Sequence, residues 1–152
     1  ILDYLSASEE LQVVDLTTTT HVAQADPITT EQEILDFQQL VRMTPIAETV
    51  AKHAIDLVRA TRLKDPSAPE IVKKYVNYGG SVRAAQNLVL GAKARALMKG
   101  RYHVSFDDIR EMAHPVLRHR VLTNFRAESE GVTSDQLIDD LLAAVATPKS
   151  GM

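Results

Sequence analysis

The chain has 152 residues and a mass of 16.8 kDa, enough for one domain with a buried core and an extra flanking segment. Its formal net charge of −3 argues against general nucleic-acid binding, because neutralising phosphates requires a net or clustered basic surface. It has no cysteine, which excludes disulfides and thiolate chemistry, and no apolar run of about 18 residues that would predict a membrane span. The first residue is Ile1 rather than Met and there is no signal peptide, so we expect a piece of a longer protein.

Residues 1–29 carry the least regular pattern. The first seven residues, ILDYLSA, have the composition of one or two helical turns. Residues 11–16 have a strand-like composition and lead into the threonine run at 17–20. We therefore predict a first helix and an ordered connection over residues 1–29, with room for one short strand.

The next stretch predicts two helices. Thr30 and Glu33 form a capping box before an apolar stripe that runs to about Arg42. Thr44 is then the expected N-cap of a second helix and Pro45 its first residue, where the missing amide of proline costs nothing. The face of this second helix that is predicted to be buried consists of Ile46, Val50, Ala54, Leu57 and Thr61.

The longest predicted helix runs from about Val82 to Lys99, with Gly100 as its candidate C-cap. A long connection precedes this helix and contains a possible short helical piece at residues 69–75. Small side chains on one face of the long helix would let a neighbouring helix approach closely. The residues predicted to be buried on that face are Val82, Ala85, Leu88 or Val89, Ala92 and Ala96.

Two more capping boxes, Ser105 with Asp108 and Thr133 with Gln136, predict the remaining helices. Residues 102–104 and 121–122 are candidates for brief extended pieces. The pattern as a whole predicts an all-α helical bundle with at most one or two very short strands. The bundle is predicted over residues 30–146, followed by a flexible tail at residues 147–152.

Arg83 is the charged residue in this pattern that most needs an explanation. Ser81 is the expected N-cap of the long helix, because its side-chain oxygen can accept from a free amide. Arg83 then falls in the first turn, where the helix dipole disfavours an exposed cation by about 0.3–1 kcal/mol. One explanation is an anion that the free amides and the guanidinium share. The alternative is an exposed arginine that tolerates the position or pairs with a nearby carboxylate.

Other catalytic or metal-binding patterns are missing from the sequence. His114 and His119 lie five residues apart across a proline, which does not suit a metal site, and His53 is predicted to pack beside a buried stripe. No Walker A loop and no Walker B strand ending in Asp-Glu is present, so this chain alone is not expected to hydrolyse a nucleotide. The basic residues 118–120 with Arg126 fit a solvated surface or intramolecular ion pairs, and alternatively a contact with an acidic partner.

Several segments follow one another in a characteristic order. They are Tyr78-Gly79-Gly80-Ser81-Val82-Arg83-Ala84, Ala92-Lys93-Ala94-Arg95-Ala96-Leu97, Gly100-Arg101 with Val104-Ser105-Phe106-Asp107-Asp108-Ile109, Pro115-Val116-Leu117-Arg118-His119-Arg120, and Glu130-Gly131-Val132. This order closely resembles the C-terminal lid of MoxR-type AAA+ ATPases, most densely over residues 45–142. Gly80-Ser81-Val82 stands where that family commonly has Ala-Ser-Pro, a departure that removes a proline but leaves Arg83 in place.

The resemblance implies a role for Arg83 as the sensor-2 arginine, which reaches from the lid to the γ-phosphate of ATP bound on the core. It implies a nucleotide-binding set of Gly80, Ser81 and Arg83 and no metal site in the lid. ATP and Mg²⁺ would be bound by the full-length protein, whose own AAA+ core is the first partner. The family also implies a homo-hexamer, a chaperone-like remodelling activity in the cytoplasm, and a partner with a von Willebrand factor A domain.

Two other functions are compatible with the sequence. The chain fits a stand-alone helical module that binds a protein through an apolar face. It also fits the lid of a related magnesium-chelatase-like ring ATPase, which would share the mechanism and differ in partner. A phosphate-binding loop and an Asp-Glu strand upstream of Ile1 would distinguish an ATPase lid from an interaction module.

Overall fold

The described part of the chain is almost entirely helical. The computed structural model describes residues 4–20 and 25–148, and the chain divides into two units, Ile1–Ile34 and Leu35–Met152. The predicted all-α fold with very short strands is confirmed, while the predicted boundaries at residues 29 and 146 stay predictions. In chain order the elements are α1 (Ala7–Thr18), α2 (Glu31–Met43), α3 (Glu48–Ala60), α4 (Glu70–Tyr75), β1 (Val76–Tyr78), α5 (Val82–Met98), α6 (Phe106–Glu111), α7 (Ala113–Leu117), β2 (Leu122–Thr123), α8 (Phe125–Ser129) and α9 (Ser134–Ala144).

The first unit contains α1, where the sequence left room for a short strand. Ser6 starts the helix through a capping box with Glu9, whose carboxylate accepts from the Ser6 amide at 2.8 Å. The strand-like residues 11–16 lie inside this helix, so the strand expectation is wrong: the local cap outweighs their weak β-propensity. The helical turns predicted at residues 1–7 lie partly outside the described residues, and residues 4–6 precede the helix.

Capping boxes predicted the starts of three helices correctly. In each box the first side chain accepts from the backbone amide three residues on, and the side chain of that later residue accepts from the first residue's amide. These reciprocal bonds fix where α2, α6 and α9 begin. The three pairs are Thr30 with Glu33, Ser105 with Asp108, and Thr133 with Gln136.

The predicted start of α3 is wrong. Thr44 is buried, and its hydroxyl donates to the Leu40 carbonyl at 3.2 Å, which closes the last turn of α2 instead of opening the next helix. Pro45 lies in the connection, and α3 begins at Glu48 after Ala47, which makes no side-chain capping bond. The hydroxyl of a threonine can bond backward as well as forward, and the sequence alone does not distinguish the two.

The core of the second unit forms around α3, α5, α6 and α9, with α4, α7 and α8 packed around them. Helix α5 buries Ala84, Leu88, Ala92 and Ala96, which recur every four residues on one face. Val82 was predicted to be buried but is 66% exposed, because it lies off this face. The largest fully buried aliphatic side chains are Leu57, Leu88, Ile109, Leu117, Leu137, Ile138 and Leu141.

Gly100 ends α5 as the sequence predicts. Its φ of +69° lies in the left-handed region that glycine adopts without strain. The Gly100 amide donates to the Leu97 carbonyl at 2.8 Å and the Arg101 amide donates to the Ala96 carbonyl at 2.9 Å. These two bonds are those of a Schellman motif and satisfy carbonyl groups that the helix leaves unpaired at its end.

A pair of short strands lies next to the start of α5, and the first of them leads the chain into that helix. β1 pairs with β2 in antiparallel fashion, Val76 opposite Thr123 and Tyr78 opposite Leu122, with an irregularity between the two pairs. The strand predicted at residues 121–122 is therefore present one residue later, whereas residues 102–104 form no strand. Helix α8 follows β2 directly and was not predicted, although Asn124 caps it through its side-chain oxygen.

Candidate functional site

The turn before α5 is hydrogen-bonded to the end of α3. The Gly80 amide donates to the Thr61 hydroxyl oxygen at 2.8 Å, and that hydroxyl donates to the Val58 carbonyl at 2.6 Å. The Gly80 carbonyl accepts from Arg62 Nε at 2.9 Å. Both polar groups of the Gly80 backbone are therefore used within the domain, and Gly80 serves to position the turn.

The glycine pair allows this turn to lie directly against α3. A Cβ on Gly79 would stand 2.2 Å from the carbonyl oxygen of Thr61, far inside van der Waals contact with a backbone atom. A Cβ on Gly80 would meet Ala84 and Val58 carbons at 3.2 Å, a tight contact that a small shift relieves. Gly79 is thus the position at which the close approach of two backbones requires glycine.

Ser81 occupies the N-cap position of α5 but makes no side-chain capping bond. Its backbone is extended, and the Ala84 amide donates to the Ser81 carbonyl at 2.9 Å rather than to the hydroxyl. The predicted capping bond is therefore absent, because the backbone carbonyl has taken the amide that the hydroxyl would cap. Ser81 is exposed.

Arg83 lies in the first turn of α5, as predicted, and its side chain is exposed. That turn contains no acidic residue. Within residues 4–20 and 25–148, the Arg83 guanidinium has neither a hydrogen bond nor an ion pair. The expectation that a nearby carboxylate neutralises Arg83 therefore finds no support within the described chain, and its cation stands at the positive end of a helix.

Arg42 is similarly without a partner for its guanidinium in the described chain. The other eight arginines each bond to a carboxylate, a backbone carbonyl or both. Their acceptors lie on Asp65, Gly80, Asp108, Leu142, Asp135, Val116 and Glu130. Arg42 and Arg83, although far apart in sequence, are thus the two arginines of the described residues whose guanidiniums make neither a hydrogen bond nor an ion pair.

Both unpaired arginines line one open groove of about 600 Å³ between α3, α5 and the end of α2. Ile55 of α3 and Val82 and Val89 of α5 supply apolar atoms to its walls. Ile55 is 48% exposed, so part of this apolar surface faces solvent. The groove therefore combines apolar walls with two positive charges that have no counter-charge in the described residues.

The most highly connected carboxylate is structural. Asp108 is fully buried and accepts from Arg95 Nη1 at 2.6 Å and from Arg101 Nη2 at 2.6 Å, as well as from the amide of Ser105. Burial raises the pKa of Asp108, but the hydrogen bonds from Arg101, Ser105 and Arg95 outweigh it and hold the pKa below its ordinary value. This centre joins the end of α5 to the start of α6. The sequence predicted only its capping bonds.

The basic residues 118–120 and Arg126 are engaged within the domain. Arg118 makes a bidentate pair with Asp135, at 2.6 and 2.8 Å, and Arg126 Nε donates to Glu130 at 2.8 Å. Arg120 donates to a backbone carbonyl of α7. The intramolecular ion pairs expected of this cluster are therefore present for Arg118 and Arg126.

Glu130 joins α4 to the end of α8. It accepts from the Tyr75 hydroxyl at 2.5 Å, from Arg126 and from Lys74 Nζ at 3.0 Å. These bonds, that from Tyr75 first, lower the pKa of Glu130 to about 2. The Glu130 carboxylate is therefore ionised and bonded to three neighbouring side chains, unlike the unpaired arginines of the groove.

The described residues add no metal centre to the site. In residues 4–20 and 25–148, no group of three or more His, Cys, Asp or Glu side chains is placed to hold a metal ion. His53 is buried as predicted and lies edge-on to Phe106. Every helix within residues 4–20 and 25–148 is too short or too polar to span a lipid bilayer.

The fold and this turn correspond to a known class of domain. Residues 68–141 match a family model described as the AAA lid domain, a range that runs from just before α4 into α9 and includes Arg83. The chain thus contains an AAA lid domain. The predicted resemblance to MoxR lids is also confirmed, because the chain is similar to such proteins over nearly its whole length. The chain is the lid domain of a MoxR-type AAA+ ATPase.

Those similarities extend over nearly the whole chain. It is 27% identical over 146 residues to Chaperone MoxR1 of Mycobacterium tuberculosis, covering 96% of this chain and 38% of that protein. It is 27% identical over 148 residues to the uncharacterized protein YeaC of Bacillus subtilis, covering 97% of this chain and 43% of that protein. The chain also matches the crystal structure of a candidate ATPase from Cytophaga hutchinsonii, with 34% sequence identity and a TM-score of 0.78. The match covers 97% of this chain and 45% of that protein. The chain spans less than half the length of each of these proteins.

Proposed function

We propose that Arg83 is the sensor-2 arginine of a MoxR-like ATPase and contacts the γ-phosphate of ATP held on a core domain. The observation that carries the proposal is an exposed guanidinium without a partner in the described chain, at the positive end of α5. Such a group is disfavoured in the isolated domain and is stabilised when a phosphate approaches. The packing of Gly79 and Gly80 against Thr61 supports a fixed position for the turn that carries it.

The chemistry of this arginine is electrostatic. A guanidinium supplies planar, bidentate donors that match phosphate oxygens, and it remains charged at any physiological pH. Placed at the transferring phosphoryl group, it would stabilise the charge that develops in the transition state. Because Arg83 belongs to a rigid lid, loss of the γ-phosphate would release one lid contact and so couple hydrolysis to lid angle.

The predicted nucleotide-binding residues differ in the role that their surroundings support. Gly80 has both backbone polar groups engaged, by Thr61 and Arg62, so we assign it to positioning the turn. Ser81 has an exposed hydroxyl that makes no capping bond and remains free to approach a phosphate oxygen. Arg83 is the residue on which activity would depend.

The rest of the proposed activity belongs to the full-length protein. A core domain would supply the Walker motifs and the ligands of Mg²⁺, for which the described residues offer no suitable set. Similarity to a protein named Chaperone MoxR1 supports chaperone-like remodelling. The proposed form of the full-length protein is a homo-hexamer in the cytoplasm. A von Willebrand factor A domain protein is the proposed partner of that assembly.

The test is Arg83→Ala in the full-length protein. ATP turnover should fall about a hundredfold or more, the usual effect of removing one transition-state donor. Circular dichroism and thermal unfolding of residues 1–152 should stay unchanged, because the Arg83 side chain is exposed. Arg126→Ala is the matched control, since that arginine is exposed but paired with Glu130. Near-normal turnover of Arg83→Ala with intact hexamers would overturn the assignment.

A further inference from the structure

We propose that Arg42 is a second phosphate-binding cation of the same nucleotide site. This inference rests on the function proposed for Arg83 and extends it to Arg42. The sequence analysis named Arg42 only as the approximate end of a predicted helix. The first observation is that Arg42 and Arg83 differ from the other described arginines, because their guanidiniums have no partner. Both side chains line the same groove.

The position of Arg42 is fixed by α5 itself. Lys93 Nζ donates to the Arg42 carbonyl at 2.9 Å, which satisfies a free carbonyl at the end of α2 with a cation. The buried Thr44 hydroxyl bonds to the Leu40 carbonyl and closes the same turn. The last turn of α2 is therefore bonded to the helix that carries Arg83, so the two arginines share one frame.

The groove has the size and polarity of a nucleotide site. Its volume of about 600 Å³ lies within the roughly 300–1,000 Å³ of small-molecule sites. Ile55, Val82 and Val89 offer apolar walls for a base or sugar, and the two guanidiniums offer charged donors for phosphate oxygens. A ligand with an apolar body and several negative charges satisfies both features.

A nucleotide polyphosphate matches this charge better than a protein carboxylate does. A single Asp or Glu would neutralise one arginine and leave the second unpaired. ADP and ATP each carry several negative charges on one flexible chain, so their phosphates can reach two guanidiniums while the base lies against the apolar wall. In this arrangement Arg42 contacts the β-phosphate, which ADP and ATP share and AMP lacks, and Arg83 contacts the terminal phosphate of ATP.

The experiment uses the full-length protein and titrates fluorescent AMP, ADP and ATP analogues at two salt concentrations. Arg42→Ala should weaken ADP and ATP about tenfold or more, AMP much less, and should reduce the salt dependence of binding. Arg42→Lys should recover part of the affinity because it keeps the charge and loses the planar donors. In steady state Arg42→Ala should raise KM more than it lowers kcat, the reverse of Arg83→Ala.

Arg59→Ala is the matched control, because Arg59 is an exposed arginine of α3 paired with Asp65 and does not line the groove. It should leave nucleotide affinity unchanged. Equal losses for AMP, ADP and ATP in Arg42→Ala would overturn the phosphate contact and indicate a carboxylate of the core instead. Unchanged affinity in Arg42→Ala, with Arg83→Ala still impaired, would overturn this inference alone. Unimpaired turnover in Arg83→Ala would overturn the proposed function itself.

Discussion

The buried Thr61 hydroxyl accepts a hydrogen bond from the Gly80 amide at 2.8 Å and so connects the end of α3 to the turn before α5. The same hydroxyl donates to the Val58 carbonyl at 2.6 Å. One side chain thus fixes the turn that places Arg83. The cation that we propose to be functional depends on a threonine that never touches a nucleotide.

Replacing this threonine should therefore impair both folding and activity. Thr61→Val keeps the shape but leaves the buried Gly80 amide without an acceptor, which should cost about 1–3 kcal/mol in the free energy of unfolding. Urea denaturation of residues 1–152 measures this loss. Turnover of the full-length protein should also fall, because the turn before Arg83 loses its fixed position. Thr61→Ser, which keeps the hydroxyl, should stay close to the native protein in both measurements.

Gly79→Ala should be among the most damaging single substitutions in the domain. The new methyl would stand 2.2 Å from the Thr61 carbonyl oxygen, and backbone atoms cannot yield as a flexible side chain can. We expect a loss of at least about 2–3 kcal/mol, as in other overpacked sites, measured by thermal or urea unfolding. Gly91→Ala is the matched control: its methyl meets the flexible end of Met112 at 2.7 Å and should cost less. Equal costs would contradict the argument.

Sequence patterns predicted the fold well where the signal is local. A capping box lies within four residues, so the starts of α2, α6 and α9 need no information from elsewhere in the chain. Thr44 and Ser81 show the limit of such signals. Each is a good N-cap by residue type, yet Thr44 bonds backward to Leu40 and the Ser81 carbonyl takes the amide that its hydroxyl would cap.

The candidate site was only half predictable for a similar reason. Arg83 stands out in the sequence because its helix position is unfavourable for a cation, and the resemblance to MoxR lids supplies its role. Arg42 carries no such local signal. Its significance depends on the absence of a partner in the described chain and on a groove formed by three helices distant in sequence. Pairing across space is a property of the fold, so sequence spacing does not reveal it.

Asp108→Ala tests the centre that joins α5 to α6. The substitution removes the capping box of α6, leaves Arg101, which is only 33% exposed, without its carboxylate, and leaves Arg95, which is 26% exposed, with Glu111 alone at 3.5 Å. Loss of one partner from a buried ion pair costs about 3–5 kcal/mol, so the domain should be close to unfolded at room temperature. Asp107→Ala, at the exposed neighbouring position, should change stability little. Native-like unfolding of Asp108→Ala would show that the centre contributes little.

The stability of the domain should depend on pH through His53. This side chain is 2% exposed, its Nε2 has no hydrogen-bond partner in the described chain, and it packs edge-on against Phe106 at 5.4 Å. Burial lowers the pKa of His53, the charge of Arg110 lowers it further, and Asp56 opposes both. The folded domain therefore holds this histidine neutral at a pH where the unfolded chain, with an ordinary pKa near 6.5, begins to bind a proton.

The sign of the effect follows from that difference in bound protons. The contribution of His53 to stability is fully present above pH 6.5 and is lost as the pH falls below 6.5 toward the lower pKa of the folded state, by at most about 1.4 kcal/mol per pH unit. Urea midpoints of residues 1–152 between pH 7.5 and 5 should decline accordingly. His53→Leu, which cannot titrate, should flatten the decline, whereas His103→Gln at an exposed position should not. A pH dependence that survives His53→Leu would assign the titration to other groups, because leucine leaves no proton to bind at this position.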